Sequence, residues 1–380
     1  MSETGRIAVI GGGIVGLACA AALQRAGHRV GVYERRAQLA SEGSGRNSGV
    51  LHAGIHHPAS ALKTTLCVRG RALIEARCRA RGLGVRRVGK LVVARDASEV
   101  PRLEAIALRA ARNDAGPVLL LDAGEARALE PQVRCAAALL VESTSIVDTR
   151  ALCADVEREA RELGAEITPE ADVQAIEART EGLVVRTSSG AREWDRAVIA
   201  AGLGTDAVLS RSGLDVDAHG LRTRYVRGEW LALSERWRGA ITRAVYPLPE
   251  AAGLGVHLTP ALDGTLRAGP DAEEVAADEA TRELGAPPAA CGEKRARFAD
   301  AVRRYLPALR DEELTPLTSG VRTKLVGDAP GFHGGGRDFV IEKGARFGAP
   351  RLVVLAGIES PGLTASLAIA EHVAALVDDR

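Results

Sequence analysis

The chain has 380 residues, 46% of them hydrophobic, and its 50 basic side chains nearly balance 49 acidic ones, which leaves a formal net charge of +1. This indicates a globular protein with two domains or one split domain, argues against a nucleic-acid-binding surface, and offers no apolar run long enough for a membrane span, leaving only peripheral membrane contact open. The six cysteines have no C-x-x-C or ligand-like spacing, so reduced thiols in a cytoplasmic protein and no metal site are expected.

The N-terminal residues 6–34 alternate between apolar runs and glycine. An apolar run ends at Ile10, and Gly11-Gly12-Gly13-Ile14-Val15-Gly16 follows. An apolar-periodic segment at 17–26 and a second apolar run ending at Glu34 complete the pattern. This order predicts strand, glycine turn, helix and strand, the arrangement of a dinucleotide-binding unit.

Each part of this unit has a predicted role. Gly11 permits the tight turn, Gly13 lets the backbone approach a pyrophosphate, and Gly16 lets the helix pack closely on the sheet. The first helical N–H groups face the phosphates, and Glu34 accepts hydrogen bonds from the ribose diol, which disfavours NADP. The predicted cofactor contacts here are Gly11, Gly13, Ile14, Val15, Gly16, Glu34 and Arg35.

Helices and strands continue to alternate up to residue 215. A long loop of small and polar residues spans 35–58, and such loops often carry binding sites. An amphipathic helix is predicted over 60–81. A buried strand at 195–202 ends on Gly202 and returns the chain to the first sheet.

From residue 221 the alternation of helix and strand is lost. Short apolar runs between prolines and glycines predict antiparallel strands over 225–233, 241–247, 255–259 and 265–269. Helices are predicted over 272–284 and 294–305, and strand-like segments at 315–325 and 337–342 flank a glycine-rich loop at 331–336. A strand at 351–356, a turn at 357–364 and a helix at 365–377 then repeat the strand, turn and helix pattern of the N-terminal unit.

Three glycine-ended turns converge on one sheet, at residues 11–16, 200–202 and 357–364. An NAD domain needs only the first turn, whereas FAD is large and two-ended and needs contacts along its length, so the three turns favour FAD. The turn Pro361–Thr364 would begin a helix whose N–H groups stabilise negative charge on the pyrimidine end of reduced flavin. A capped surface helix is the alternative interpretation of that turn.

The predicted fold class is mixed α/β, with a Rossmann-like FAD-binding domain interleaved with an antiparallel-sheet substrate domain. The FAD-binding domain is predicted to take residues 1–88, 145–215 and 343–380. The substrate domain is predicted to take residues 89–144 and 216–342. The sequence of the first domain is therefore interrupted twice by the second.

Several segments carry a more specific resemblance, namely 44–55, 62–70, 89–91, 246–249, 255–260 and 357–371. They resemble the L-2-hydroxyglutarate dehydrogenase/oxidase group of the FAD-dependent D-amino-acid-oxidase-like superfamily, and the resemblance runs from the first strand to the last helix. It implies FAD bound non-covalently between the two domains. It also implies oxidation of a carbon that carries OH or NH2 next to a carboxylate.

The resemblance further implies which residues contact FAD beyond the N-terminal unit. The backbone of Val173 would meet the adenine, and Ala201 and Gly202 lie in the second glycine turn. Arg46, Asn47, Ser48 and Gly49 would pass along the flavin, and Gly357, Ile358, Glu359, Gly362, Leu363 and Thr364 would close on the isoalloxazine.

Four side chains are predicted to act at the substrate. Arg322 matches the guanidinium that clamps the substrate carboxylate in related oxidases and is counted with the cofactor contacts too; a structural salt bridge is the alternative. His52 is predicted as the base that takes the hydroxyl proton, and His257, beside Tyr246 in the matched segments, as a substrate contact. A satisfied core histidine remains the alternative for each.

The predicted function is FAD-dependent oxidation of a small 2-hydroxy acid, L-2-hydroxyglutarate or a relative, to the 2-oxo acid. Alternatives are an amino-acid oxidase, a glycerol-3-phosphate dehydrogenase relative and a non-catalytic flavin-binding subunit. A phosphate substrate would require more cations near the flavin than Arg322 and Lys63. The electron acceptor, whether oxygen, a quinone or an electron-transfer protein, and the oligomeric state are left open.

Overall fold

The computed structural model describes residues 4–249, 255–277, 292–332 and 336–379. Its strands are β1 (Arg6–Ile10), β2 (Arg29–Tyr33), β3 (Val50–Leu51), β4 (Val85–Arg87), β5 (Lys90–Ala94), β6 (Val118–Asp122), β7 (Ala137–Val141), β8 (Ser145–Val147), β9 (Glu166–Thr168), β10 (Val173–Ala178), β11 (Leu183–Thr187), β12 (Gly190–Trp194), β13 (Arg196–Ile199), β14 (Thr223–Leu233), β15 (Ala244–Pro247), β16 (His257–Pro260), β17 (Leu266–Gly269), β18 (Glu273–Val275), β19 (Leu314–Leu325), β20 (Val340–Lys343) and β21 (Leu352–Ala356). Its α-helices are α1 (Ile14–Arg25), α2 (Leu62–Arg81), α3 (Val100–Arg112), α4 (Ala123–Leu129), α5 (Thr149–Glu162), α6 (Thr205–Arg211), α7 (Gly292–Arg303) and α8 (Gly362–Asp378). None of the helices in these ranges is long and apolar enough to cross a bilayer.

The first sheet is built from both ends of the chain, in the order β20-β21-β13-β1-β2-β9. All neighbours are parallel except β20 and β21. Alternate residues of a strand face opposite sides, so Val9 packs against α1 and α8, whereas Ala8 and Ile10 pack towards α6 and the small sheet β10-β11-β12. Because both faces are covered, the strands are apolar runs rather than alternating ones.

The predicted glycine turn between β1 and α1 is confirmed. Gly11 has φ +111°, and a Cβ on Gly16 would lie 2.0 Å from the carbonyl oxygen of Gly11. Only glycine allows both the left-handed turn and this close approach of helix to strand. The turn therefore fixes where α1 begins.

The second sheet has the order β18-β14-β17-β16-β15-β5-β7-β6, with β19 paired along β14. Its pairs are antiparallel as predicted, except that β5 and β15 run parallel. The long β14–β19 pair places Arg322 opposite Val226. A separate core beneath this sheet includes Phe298 and Val302 of α7.

The helix predicted over 272–284 is wrong at its start, since Glu273–Val275 forms β18 against β14. Ion pairs from Glu273 to Arg227 and to Lys294 support this strand edge, and local propensity does not report such tertiary pairs. Residues 278–284 of that prediction, and residues 333–335 of the glycine-rich loop, lie outside the described residues.

The chain passes repeatedly between the two sheets. The parallel sheet takes strands from 6–33, 166–199 and 340–356, and the antiparallel sheet takes strands from 90–141 and 223–325. The predicted mixed α/β fold with two interleaved sheets is therefore confirmed. Val340–Lys343 pairs with β21, so the C-terminal part of the first sheet begins slightly before residue 343, the predicted domain boundary.

Candidate active site

A cavity of about 900 Å³ lies between the parallel and the antiparallel sheet, a volume typical of cofactor and ligand sites. Both ends of the chain and both sheets contribute to its wall. The predicted site residues that line it are Gly11, Gly13, Ile14, Val15, Glu34, Arg46, Asn47, Ser48, His52, Ala201, Gly202, Tyr246, His257, Arg322, Gly357, Ile358, Glu359, Gly362, Leu363 and Thr364.

Four predicted cofactor contacts do not line this cavity. Arg35 and Val173 line an adjoining cavity of about 320 Å³, which shares Gly11, Glu34 and Ala201 with the large one. Gly16 lies where α1 packs closely against the glycine turn. Gly49 has φ +70°, and its N–H donates to Asn47 Oδ1 at 2.7 Å, so it shapes the loop that carries its neighbours.

The end of the cavity next to the first sheet is built mainly from backbone groups. Gly13 precedes α1 without a side-chain cap, and the N–H of Ile14 donates to Ser44 Oγ at 2.9 Å. The buried carboxylate of Glu34 accepts hydrogen bonds from Gly12 N and Arg36 N, each at 2.8 Å. Glu34 is thereby held at the edge of both cavities.

A second helix begins at the same cavity. Helix α8 starts at Gly362 after Pro361, again without a side-chain cap, and Gly362, Leu363 and Thr364 line the cavity. Two helix N-termini, with the positive ends of their dipoles, therefore meet one cavity of cofactor size. This arrangement fits a cofactor that carries negative charge both at a pyrophosphate and on its reduced ring, as FAD does.

A buried ion-pair cluster lies next to the start of α8. Lys63 Nζ lies 2.8 Å from Glu359 Oε1, and Lys324 Nζ lies 3.7 Å from Glu359 Oε2. Burial opposes ionisation of Glu359, but Lys63 and Lys324 hold its pKa below the usual range. Glu359 is consequently an ionised and neutralised group.

His52 is tied to the turn before α8. Its backbone N–H donates to Thr364 Oγ1 at 3.1 Å, and its Nε2 lies 3.4 Å from Ser360 Oγ. Burial, together with the nearby charge of Lys90, lowers the pKa of His52 to about 3. The imidazole is therefore neutral near pH 7 and carries a lone pair.

His257 lies on the opposite wall, on β16. Its ring stacks on Tyr246 with centroids 3.8 Å apart, and Trp230 meets it edge-on at 5.5 Å. His257 Nδ1 lies 3.0 Å from the carbonyl oxygen of Gly255; because a carbonyl only accepts, Nδ1 carries the proton and Nε2 is the acceptor. Burial lowers the pKa of His257 to about 3, with Lys90 among the charges that contribute.

Arg322 projects from β19 into the same cavity. Its Nη2 donates to the backbone oxygen of Asp271 at 2.6 Å, and a Cβ on Gly228 would lie 3.0 Å from Nη2. The glycine thus leaves room for the guanidinium. Burial lowers the pKa of Arg322, while Glu359 and Asp271 raise it; with an ordinary pKa above about 12, the group stays charged.

Sequence reasoning missed several cationic side chains of the cavity wall. Lys90 and Lys324 line it together with Lys63, and Lys90 is 1% exposed. Lys90 stands in one of the segments that carry the family resemblance, 89–91. Nothing in its local sequence distinguishes it from the solvent-facing lysine that usually begins a strand.

Comparison with known proteins gives a consistent result. Residues 6–376 match the DAO family, described as FAD dependent oxidoreductase. A relative from Arabidopsis thaliana, L-2-hydroxyglutarate dehydrogenase, mitochondrial, is 34% identical over 96% of this chain and 82% of its own length. The protein of the same name from Homo sapiens is 32% identical over 70% of this chain and 60% of its own length. L-2-hydroxyglutarate dehydrogenase from Salmonella houtenae is 27% identical over 97% and 92%.

Solved structures share the fold at lower identity. The L-alpha-glycerophosphate oxidase of Mycoplasma pneumoniae, solved with FAD bound, gives a TM-score of 0.85 at 24% identity over 100% of this chain and 96% of that one. Glycine oxidase from Geobacillus kaustophilus gives 0.79 at 22% identity over 99% and 96%. With nearly the whole chain matched, the two interleaved sheets belong to a known fold, and the protein is a member of the DAO family of FAD-dependent oxidoreductases.

Proposed function

We propose that this protein oxidises a small 2-hydroxy acid, L-2-hydroxyglutarate or a close relative, to the 2-oxo acid with FAD as the cofactor. The observation that carries the proposal is that Arg322 and two neutral imidazoles, those of His52 and His257, line the same cavity. The similarity to proteins named L-2-hydroxyglutarate dehydrogenase supports the same substrate class.

FAD would be held without a covalent bond, chiefly by backbone groups. The glycine turn and the start of α1 would bind its pyrophosphate, Glu34 its ribose, and the start of α8 the pyrimidine end of its ring. The adenine would lie in the adjoining cavity lined by Arg35 and Val173. When bound, FAD supplies an acceptor for the hydride that leaves the substrate Cα.

Three side chains of the cavity would hold and deprotonate the substrate. Arg322 would bind the carboxylate next to the reacting carbon, since its planar fork of donors matches two carboxylate oxygens. His52, anchored to the turn before α8, would take the hydroxyl proton at Nε2. His257, with its ring held by Gly255 and Tyr246, would contact the substrate beside the hydroxyl and orient it, while the single hydroxyl proton goes to His52.

Anaerobic addition of candidate substrates to the flavin-loaded protein tests this proposal. The flavin absorbance should bleach with 2-hydroxy acids and remain with the matching 2-amino acids. Bleaching by amino acids alone would replace the proposal with an amino-acid oxidase. No bleaching by any substrate would favour a flavin-binding subunit without chemistry.

A second candidate, oxidation of a phosphorylated polyol, is favoured by one observation. Lys90 and Lys324 face the cavity in addition to Arg322 and Lys63, which provides the further positive charge that a phosphate requires. Lys63 and Lys324 are, however, both paired with Glu359, so the first candidate stands ahead. Including sn-glycerol 3-phosphate in the same panel separates the two.

A further inference from the structure

Lys90 is an unusual cation in this cavity. It begins β5, is 1% exposed, and lines the cavity with its side chain. The strands on both sides fix its place, because Lys90 is in register with Ala244 of β15 and with Val141 of β7. Its ammonium is thus held in the wall rather than reaching in from a mobile loop.

The partners of Lys90 do not neutralise its charge. Its Nζ lies 3.5 Å from His56 Nε2 and 4.8 Å from the centre of the Tyr246 ring. Across residues 4–249, 255–277, 292–332 and 336–379 no carboxylate forms an ion pair with it. Lys63 is equally buried at 2% exposure, yet it has Glu359 at 2.8 Å.

An ammonium buried without a counter-ion is costly, and the protein retains it beside the reacting groups. Burial lowers the pKa of Lys90 to about 8. Its charge also contributes to the low pKa of both His52 and His257. His52, His257 and the unpaired ammonium of Lys90 therefore lie at one end of the cavity. An anion that binds there would supply the counter-charge that Lys90 lacks.

We propose that Lys90 binds the second carboxylate of the substrate, so that the site selects 2-hydroxy dicarboxylates over monocarboxylates of the same chain length. The inference rests on the proposed function, in which Arg322 takes the carboxylate next to the reacting carbon. Arg322 and Lys90 then hold the two ends of one molecule, with His52 and His257 facing its hydroxyl. Tyr246 and His56 would keep the ammonium in place.

Binding of two unreactive probes tests the assignment without turnover. The dissociation constants of glutarate and pentanoate, which differ by one carboxylate, are measured by calorimetry on the flavin-loaded protein. Lys90→Met should weaken glutarate binding by about 10- to 100-fold, the range for a hydrogen bond to a charged group. Pentanoate should bind the variant as it binds the wild type, and Lys90→Arg should retain most of the glutarate preference.

Lys63→Met is the control matched for burial. Because Lys63 already has a carboxylate partner, its loss should change the affinities of both probes by a similar factor. A Lys90→Met protein that loses both probes equally, or keeps its preference for glutarate, would overturn the assignment. Failure of the proposed function shows separately, since it would leave hydroxy acids unable to bleach the flavin while both probes could still be measured.

A titration of the wild type keeps the inference testable if Lys90→Met does not fold. The charged and titratable groups that face Lys90 are His52, His56, Cys67, Tyr246 and His257. As pH rises through 8 the ammonium loses its proton, so the dissociation constant of glutarate should rise about tenfold per pH unit. That of pentanoate should not follow it; parallel curves would exclude Lys90.

Discussion

The two ends of the cavity are built in different ways. The end at the parallel sheet uses glycine turns and the N–H groups of two helices, supplied by short continuous segments at 11–16 and 357–364. The other end uses side chains, including His257 of β16 and Arg322 of β19, which come together only when the antiparallel sheet forms. The first end is suited to a cofactor common to many proteins, and the second to one substrate.

This difference predicts that damage to one end should leave the other intact. The largest effect on the cofactor end should come from Gly16→Ala, because its Cβ would lie 2.0 Å from the backbone oxygen of Gly11. Forced separation of α1 from β1 should weaken flavin binding by about 10- to 100-fold. The measure is the ratio of flavin to protein absorbance after purification.

Gly292→Ala is the matched control, since a Cβ at this helical glycine meets nothing within 4 Å. It should purify with its full complement of flavin. If Gly16→Ala retained flavin as well as Gly292→Ala does, the glycine turn would not be the cofactor site.

The largest effect on turnover should be confined to the substrate end. His52→Asn should lower kcat by about 10²- to 10⁴-fold, which is the usual contribution of a general base. His257→Asn should mainly raise KM, by about tenfold, because the substrate loses one orienting contact. Both variants should bind flavin normally. A large loss of kcat in His257→Asn with little change in His52→Asn would exchange the two roles.

The same difference explains how far the sequence alone could predict the site. The glycine turn was predictable because Gly11 to Gly16 form a contiguous motif whose backbone geometry only glycine allows. The sequence from Ala272 onward favoured a helix, yet Glu273–Val275 forms an edge strand, because Glu273 makes ion pairs with Arg227 and Lys294. Lys90 was missed because its burial depends on strands β7 and β15, which are distant in sequence. Arg322 was found through the family resemblance rather than through any local pattern.

Arg322→Ala should have an effect of intermediate size. Loss of the guanidinium should lower kcat/KM for 2-hydroxy acids by about 10²-fold, the cost of removing one partner from a buried charged pair. The protein should remain yellow. Arg346→Ala, at an exposed arginine paired with Glu342, is the control and should change neither flavin content nor kcat/KM. Rapid-mixing measurements of flavin reduction would rule out the carboxylate role if the two variants behaved alike.

The smallest expected effect concerns the pH dependence of kcat/KM, which should stay nearly constant as the pH is lowered. A histidine base with the ordinary pKa of about 6.5 would lose activity tenfold per unit as pH falls below that value. Burial and Lys90 lower the pKa of His52 to about 3, so at pH 5 about 99% of the imidazole remains neutral. The value of kcat/KM, which reports the free enzyme, should therefore change little between pH 7.5 and 5. A tenfold fall between pH 6.5 and 5.5 that disappears in His52→Asn would show that the imidazole is more open to water than its burial implies, and the substrate end would then be the less enclosed of the two.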